Sequence, residues 1–342
     1  MLVLSRTIQR CILIAASMML FAACGPIDDA SMTREMAEGE RWLSDRTADL
    51  PLWLSDTGIY DNLRTLTPSA TFIAYTPRFE LHSHGAGKHR LISVPANMRI
   101  GFRTDGSWRF PVGTVAVKTF TMDGIEGRID AVAIETRVIV RRPTGWVYAV
   151  YHWNADGTQA KNLGATWTPV HFYLLGEKTI PYEIPGHLDC QACHETHPDS
   201  VLLGWSPLNF DPSMREHRIF EHPPSATELP AQNKLEARAM GFLIGNCTHC
   251  HHGRNQANEN ASFSLRPNDL IQHTVGVETE SSASGIGIRV VPGNPERSAL
   301  YQAAVDAMAP NYDGDLKRMP PVGRPQRSQL IADILGDWIR TL

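Results

Sequence analysis

The sequence predicts an α+β multidomain fold, in which an N-terminal antiparallel β-sandwich-like domain is followed by a mainly α-helical domain. Between residues 50 and 173 the chain has period-two alternation, aromatic and β-branched runs, and frequent glycine and proline. From about residue 185 the pattern changes to long loops and apolar residues at helical spacing. A Cys-x-x-Cys-His run occurs twice in this second half, at residues 190–194 and 247–251. We therefore expect two kinds of structure, with both cysteine motifs in the second.

The first residues have the pattern of an export signal. Arg6 and Arg10 precede a short apolar run, and small residues stand directly before Cys24. This pattern resembles the lipobox of bacterial lipoproteins, which implies a signal peptide at 1–23 and lipidation of Cys24. An ordinary signal peptide cleaved nearby is the alternative. Residues 24–45 carry mixed charge without an apolar period, which indicates a tether.

Residues 46–180 are predicted to form the β-rich domain. The run from Ile134 to Val140 is followed by a turn over 142–145, and residues 146–153 return as its antiparallel partner strand. A further strand is expected over Val115 to Phe120. These segments predict a hairpin within an antiparallel sandwich.

Three helices are predicted in the second half of the chain. The first has an apolar face and ends at Asn246, immediately before the second cysteine motif. Another begins at Asn294 and Pro295, which are a capping residue and a first-position proline. Ser328 caps the last helix, whose apolar residues recur at helical spacing.

The two Cys-x-x-Cys-His motifs indicate covalent attachment of c-type haem, because two such thiols form thioethers and the adjacent histidine is an axial ligand. With 14 histidines in 342 residues, a histidine follows a given Cys-x-x-Cys by chance only about 4% of the time. A four-thiolate zinc site and disulfides are the alternatives. The prediction is two covalently attached haem c groups. The residues assigned to them are Cys190, Cys193 and His194, and Cys247, Cys250 and His251.

Each haem needs a sixth ligand or has an open position. Met319 stands in a proline-flanked loop before the last helix, and we expect its thioether to ligate the haem of the second motif. For the first motif the sequence leaves the ligand open, and His222 or His217 is favoured over an open site and three other residues. Those three are His187, His197 and Met214.

The chain resembles class I cytochrome c in its second motif, in residues 291–300 and in Met319-Pro320-Pro321. As a whole it is similar to a family of bacterial di-haem c-type cytochrome lipoproteins, a likeness that residues 108–114, 134–137 and 85–90 carry through the β-rich half. The resemblance implies a first haem-attachment segment at 181–230 and a mainly α-helical cytochrome c-like domain at 231–342.

Composition and chemistry together predict the function. A formal net charge of −4 provides no basic surface for nucleic acid, which we exclude as a partner. We expect an electron-transfer protein whose two haems pass single electrons between a periplasmic or membrane oxidoreductase and an acceptor. It would be anchored by its lipid at the periplasmic face of the outer membrane, or lie in the periplasm. Haem peroxidase or oxidase activity, and a β-domain ligand-binding module, are the alternatives, so whether the chain is an enzyme stays open.

Overall fold

The fold is described from a computed structural model of the chain. It describes residues 34, 39–83, 85–102, 108–123, 131–164, 170–175, 178–185, 187–196, 201–206, 208–222, 224, 227–253, 263–283, 285–305, 315–320 and 328–342. Cys24 and the predicted signal peptide lie outside these residues, as do His197 and Pro321.

The described chain has fourteen strands, and all but the last two come before residue 184. They are β1 (Tyr60–Asn62), β2 (Thr67–Pro68), β3 (Ile73–Ala74), β4 (Gly87–Ser93), β5 (Gly101–Phe102), β6 (Trp108–Arg109), β7 (Val115–Met122), β8 (Val132–Arg142), β9 (Gly145–Trp153), β10 (Ala160–Asn162), β11 (Val170–Leu175), β12 (Lys178–Glu183), β13 (Glu278–Ala283) and β14 (Ile286–Ile288).

One six-stranded antiparallel sheet organises the fold, in the order β10-β9-β8-β7-β4-β3. The hairpin predicted around residues 142–145 is confirmed, with Arg142 opposite Gly145 in the register of β8 and β9. The other strands form separate pairs, β1 with β2, β5 with β6, β11 with β12 and β13 with β14. The predicted pair of stacked sheets is therefore replaced by a single sheet that loops, short strand pairs and short helices cover.

The two faces of this sheet belong to two different hydrophobic cores, because side chains alternate between faces along each strand. On one face Val117, Val138 and Tyr151 pack against the N-terminal segment, where Trp42 is fully buried within the predicted tether. On the other face Ala116 and its neighbours pack against residues 182–220. The segment with the first cysteine motif thus shares a core with the sheet.

The helices are few and short. They are α1 (His187–His194), α2 (Lys234–Asn246), α3 (Leu270–Thr274), α4 (Ala299–Val305) and α5 (Gln329–Arg340), with 3₁₀ turns at Leu54–Thr57, Pro212–Glu216 and Pro295–Arg297. The two predicted helix starts are confirmed, since Asn294 caps the turn before α4 and Ser328 caps α5. The predicted end of α2 at Asn246 is also confirmed, and its start is capped by Asn233. No helix among the described residues is long and apolar enough to cross a bilayer.

The predicted fold class is wrong, because no mainly α-helical cytochrome c-like domain follows the β-rich half. The chain is a β-sheet-rich fold with small helices. Among the described residues of 231–342 only α2 and α5 exceed seven residues, and the β13–β14 hairpin lies between α3 and α4. Helical spacing identified α2 and α5 correctly, but a periodic pattern states nothing about the connecting segments. Those segments pack as loops and a hairpin around a core formed mainly by α2 and α5.

Candidate functional site

The first cysteine motif lies on α1, which packs against β9. Cys190 is buried in the core on that face of the sheet, and Cys193 is half-buried. His194 ends the helix, and its ring centroid lies 5.7 Å from that of Tyr148. The motif is therefore held on the sheet by the short helix α1, with one buried thiol in the core.

The imidazole of His194 is oriented by the chain itself. Its Nδ1 lies 2.6 Å from the carbonyl oxygen of Val201, and a carbonyl can only accept, so Nδ1 carries the proton and donates. Burial lowers the pKa of His194 to about 3, against the opposing effect of this hydrogen bond. The neutral ring then leaves Nε2 as the free lone pair, as in metal-ligating histidines whose other nitrogen donates to a carbonyl.

The second motif continues directly from α2. The Cys247 amide donates to the Leu243 carbonyl at 2.8 Å, and the His251 amide donates to the Cys247 carbonyl at 2.9 Å. The helical hydrogen-bond pattern therefore continues from α2 through the motif. Thr248 Oγ1 adds a bond of 3.0 Å to the Ile244 carbonyl. The two thiols and the histidine are consequently presented by one continuous turn at the helix end.

His251 is buried, at 9% exposure, and differs from His194 in having an unsatisfied nitrogen. Within the described residues its Nδ1 has no hydrogen-bond partner. Its ring centroid lies 4.4 Å from that of Phe263, whose ring also faces the Arg289 guanidinium at 4.3 Å. Burial, and secondarily Arg289, lower the pKa of His251 to about 4. A buried neutral imidazole with an orphaned nitrogen fits a ring that is completed by a bound group.

The two motifs meet in the fold, although 57 positions separate their first cysteines. Thr196 Oγ1, two residues beyond His194, donates 2.7 Å to the carbonyl oxygen of His249. Burial raises the pKa of Cys250 to about 12, and the proximity of Cys193 adds to that effect. Thiols from both motifs are thus close neighbours.

None of the four motif cysteines forms a disulfide bond. In the part of the chain that the structure describes, no group of three or more His, Cys, Asp or Glu side chains could hold a metal ion. The pKa values of Cys190 and Cys247 are raised by burial, to about 11 and about 12, which favours neutral thiols.

The residues predicted as sixth ligands of the two haems differ in their location and exposure. Met319 lies in a loop, and its backbone amide donates to the Ala303 carbonyl of α4 at 2.9 Å. Met319 is 36% exposed. His222 is exposed and His217 is half-buried, while Met214 is buried in the core beneath the first motif. Ligation by Met319 or His222 therefore stays a prediction.

Sequence reasoning missed His249, which stands between the two cysteines of the second motif. Burial lowers its pKa to about 4, and His251 and Lys118 are the next contributors. Lys118 also lowers the pKa of His194, so the lysine lies near both motifs. A histidine inside a Cys-x-x-Cys pair is visible in the sequence, but its proximity to the first motif depends on the fold.

A buried charge network underlies the first motif. Glu135 is fully buried and accepts two hydrogen bonds from Arg137, at 2.7 and 2.9 Å, and one from the Tyr182 hydroxyl at 2.7 Å. Burial alone would lower the pKa of Arg137, but Glu135 raises it above its ordinary value. Arg137 and Lys118 both lie over the Phe120 ring, at 4.5 and 4.8 Å. Charged side chains thus occupy the sheet face that the first motif covers.

A cavity of about 470 Å³ opens between this sheet face, residues 202–209 and the end of α2. Thr248 and His249 of the second motif form part of its wall, together with His252. Its volume is in the range typical of small-molecule sites. The cavity lies against the second motif and beside the residues that follow the first.

No protein-family model, no curated protein and no solved structure matches this chain. The residues of the two motifs and their surroundings are therefore the basis for inferring the function.

Proposed function

We propose that this chain is an exported di-haem c-type cytochrome that passes single electrons between redox partner proteins. Cys190 and Cys193 would hold one haem with His194 as axial ligand, and Cys247, Cys250 and His251 would hold the other. A bound haem supplies an iron that exchanges one electron. We further propose that Cys24 carries the lipid and anchors the protein at the periplasmic face of the outer membrane.

The observation that carries the proposal is the contact between the two motifs. The Thr196–His249 bond of 2.7 Å joins the loop after one motif to the interior of the other. Electron exchange between two cofactors requires close approach, and a protein can supply it by attaching both to neighbouring backbone. Two unrelated structural thiol pairs would have no need of this juxtaposition or of two adjacent histidines.

The surroundings of the histidines support the same function. Val201 holds the His194 ring by its Nδ1, which orients Nε2. Phe263 packs against the His251 ring and limits access of water to it. Both rings are neutral at physiological pH, the state in which imidazole ligates a metal.

The test is the haem content of the full chain, produced in a host that attaches c-type haem. We expect two haems per chain that resist acid-acetone extraction, because thioethers are covalent. The paired variants Cys190→Ala with Cys193→Ala, and Cys247→Ala with Cys250→Ala, should each retain one. Absence of a Soret band in the wild type, or loss of iron in favour of zinc, would contradict the proposal.

A further inference from the structure

Three cations lie side by side across the central sheet. Arg90 on β4 is opposite Lys118 on β7, and Lys118 is opposite Arg137 on β8. Directly opposite residues share a face of an antiparallel sheet, and like charges in that arrangement repel. Each cation of the row therefore needs a nearby anion.

The outer two cations have their anions and the middle one does not. Arg90 is paired with Glu80 at 2.8 Å and Arg137 with Glu135 at 2.7 Å. Lys118 forms no ion pair among the described residues, and its Nζ lies 4.8 Å from the centroid of the Phe120 ring. The Glu135 carboxylate is near enough to act on the Lys118 ammonium, but it is already bonded to Arg137 and Tyr182. A half-buried ammonium group without an ion pair of its own is costly, because burial removes its water.

Lys118 lines the cavity, and so does a residue with a buried, unsatisfied donor. Trp108 is 4% exposed and lines the same cavity. Its Nε1 has no hydrogen-bond partner in the described part of the chain. A buried indole nitrogen normally finds an acceptor. Because the Lys118 ammonium and Trp108 Nε1 are both donors, a ligand that satisfies them would be a negatively charged acceptor.

The remaining lining residues indicate what kind of molecule carries the negative charge. The Trp108 ring packs edge-to-face against Trp205, with centroids 5.7 Å apart, and Phe79 and Leu202 also line the cavity. Aromatic and aliphatic walls fit a flat apolar body. Arg90 and Arg266 add positive charge to the lining, and Asp269, its one acidic residue among those described, accepts from Ser264 at 2.6 Å.

We propose that this cavity binds a carboxylate carried on a planar aromatic ring, with Lys118 and Trp108 as its anchors. The carboxylate would pair with the Lys118 ammonium and accept from Trp108 Nε1, while the ring lies against the apolar wall. Two sources have this chemistry. One is a propionate of a haem attached beside Thr248 and His249, which rests on the proposed function, and the other is a diffusible aromatic carboxylate.

The test uses Lys118→Met in the full-length protein, with Lys161→Met as the control. Lys161 is an exposed lysine on β10 of the same sheet, away from the cavity lining. Lys118→Met should fold, because it replaces an unpaired, half-buried charge with an apolar side chain of similar length. Trp108→Phe is the second variant, since it keeps a ring and removes only the donor.

Two measurements distinguish the sources. If the carboxylate belongs to a haem, Lys118→Met lowers one of the two reduction potentials, since loss of a nearby positive charge favours the ferric state. If it is diffusible, calorimetry detects saturable binding of 2-naphthoate to the wild type, weakened at least tenfold by Lys118→Met. Trp108→Phe should act in the same direction with a smaller effect, and Lys161→Met should change neither.

Unchanged potentials together with no 2-naphthoate binding would overturn the proposal, as would an equal effect of Lys161→Met. Haem content is measured on the same samples. A protein without haem that still binds 2-naphthoate through Lys118 would refute the proposed function and leave the carboxylate site standing. A protein with two haems, whose potentials and 2-naphthoate binding are the same in Lys118→Met, Trp108→Phe and the wild type, would support the proposed function and refute the carboxylate site.

Discussion

Glu135 illustrates how burial changes the meaning of a polar residue in a strand. Alternation along residues 134–140 places Glu135 and Arg137 on the same face of β8. The structure buries Glu135 completely, because residues 182–220 cover that face. The alternation of side chains along a strand identifies which residues share a face. What packs on that face depends on chain segments that are distant in sequence.

The buried pair predicts a large difference between two similar substitutions. Glu135→Gln removes the charge that offsets Arg137, and we expect a loss of about 3 kcal/mol in the free energy of unfolding, since breaking a buried pair leaves one charge uncompensated. Glu221→Gln is the matched control, because Glu221 pairs with Arg109 at 2.7 Å on the surface, with side chains 41% and 60% exposed. Its expected loss is below about 1 kcal/mol.

Urea unfolding of both variants and of the wild type measures these values. Equal effects of the two substitutions would show that the Glu135–Arg137 pair contributes no more than a surface pair does.

Helix α2 and the cysteine motif after it are positioned by a close contact with the chain before β4. A Cβ at Gly245 would lie 2.8 Å from the Glu80 carbonyl oxygen and 2.9 Å from that of Phe79. Asn246 Oδ1 accepts the His82 amide at 2.6 Å, so the helix end is bonded to the same segment. The absence of a side chain at Gly245 therefore sets where the second motif lies relative to the sheet.

Gly245→Ala tests this contact, and two effects compete in it. Alanine is favoured over glycine inside a helix by about 1 kcal/mol. Overpacking against backbone atoms costs about 1–3 kcal/mol, and backbone carbonyls cannot rotate away as side chains do. We expect the contact to outweigh the helix preference, with a net loss of stability of about 1 kcal/mol in thermal or urea unfolding.

Gly287→Ala on β14 is the control, because a Cβ there would meet no atom within 4 Å. It should leave the unfolding midpoint unchanged or raise it slightly. A Gly245→Ala protein more stable than the wild type would show that the helix end can shift away from Glu80 without cost.

At the scale of the whole molecule, one sheet supports both halves of the chain. Its one face holds the N-terminal segment, and its other face holds the first motif and one wall of the cavity. The second motif reaches the first from a separate core formed mainly by α2 and α5. The two proposed haems would therefore have different surroundings, one against a charged sheet face and the other beside an apolar helical core.

These different surroundings predict two resolved one-electron steps in a redox titration of the full chain. The lower step should belong to Cys190 and Cys193, and the upper to Cys247 and Cys250 with Met319, because thioether ligation raises the potential. Met319→Ala should lower the upper step, abolish the near-infrared band of methionine-ligated ferric haem, and leave the lower step unchanged.

Met98→Ala is the matched control for this titration, since Met98 is a surface methionine at 51% exposure. A single unresolved wave in the wild type would contradict two distinct surroundings. A shift of the lower step in Met319→Ala would assign the methionine to the other motif.

The sequence by itself determined the features that depend on neighbouring residues. The β8–β9 hairpin, the end of α2, the cap of α5 and the two Cys-x-x-Cys-His motifs follow from turn chemistry, helical spacing and motif spacing over a few positions. Only the tertiary structure decided that the motifs meet through Thr196 and His249, and that Lys118 lies between two arginines without an ion pair among the described residues. It also replaced the predicted helical domain by short helices and a hairpin. Contacts between residues far apart in the chain depend on strand register and on which segment covers which face, and local patterns encode neither.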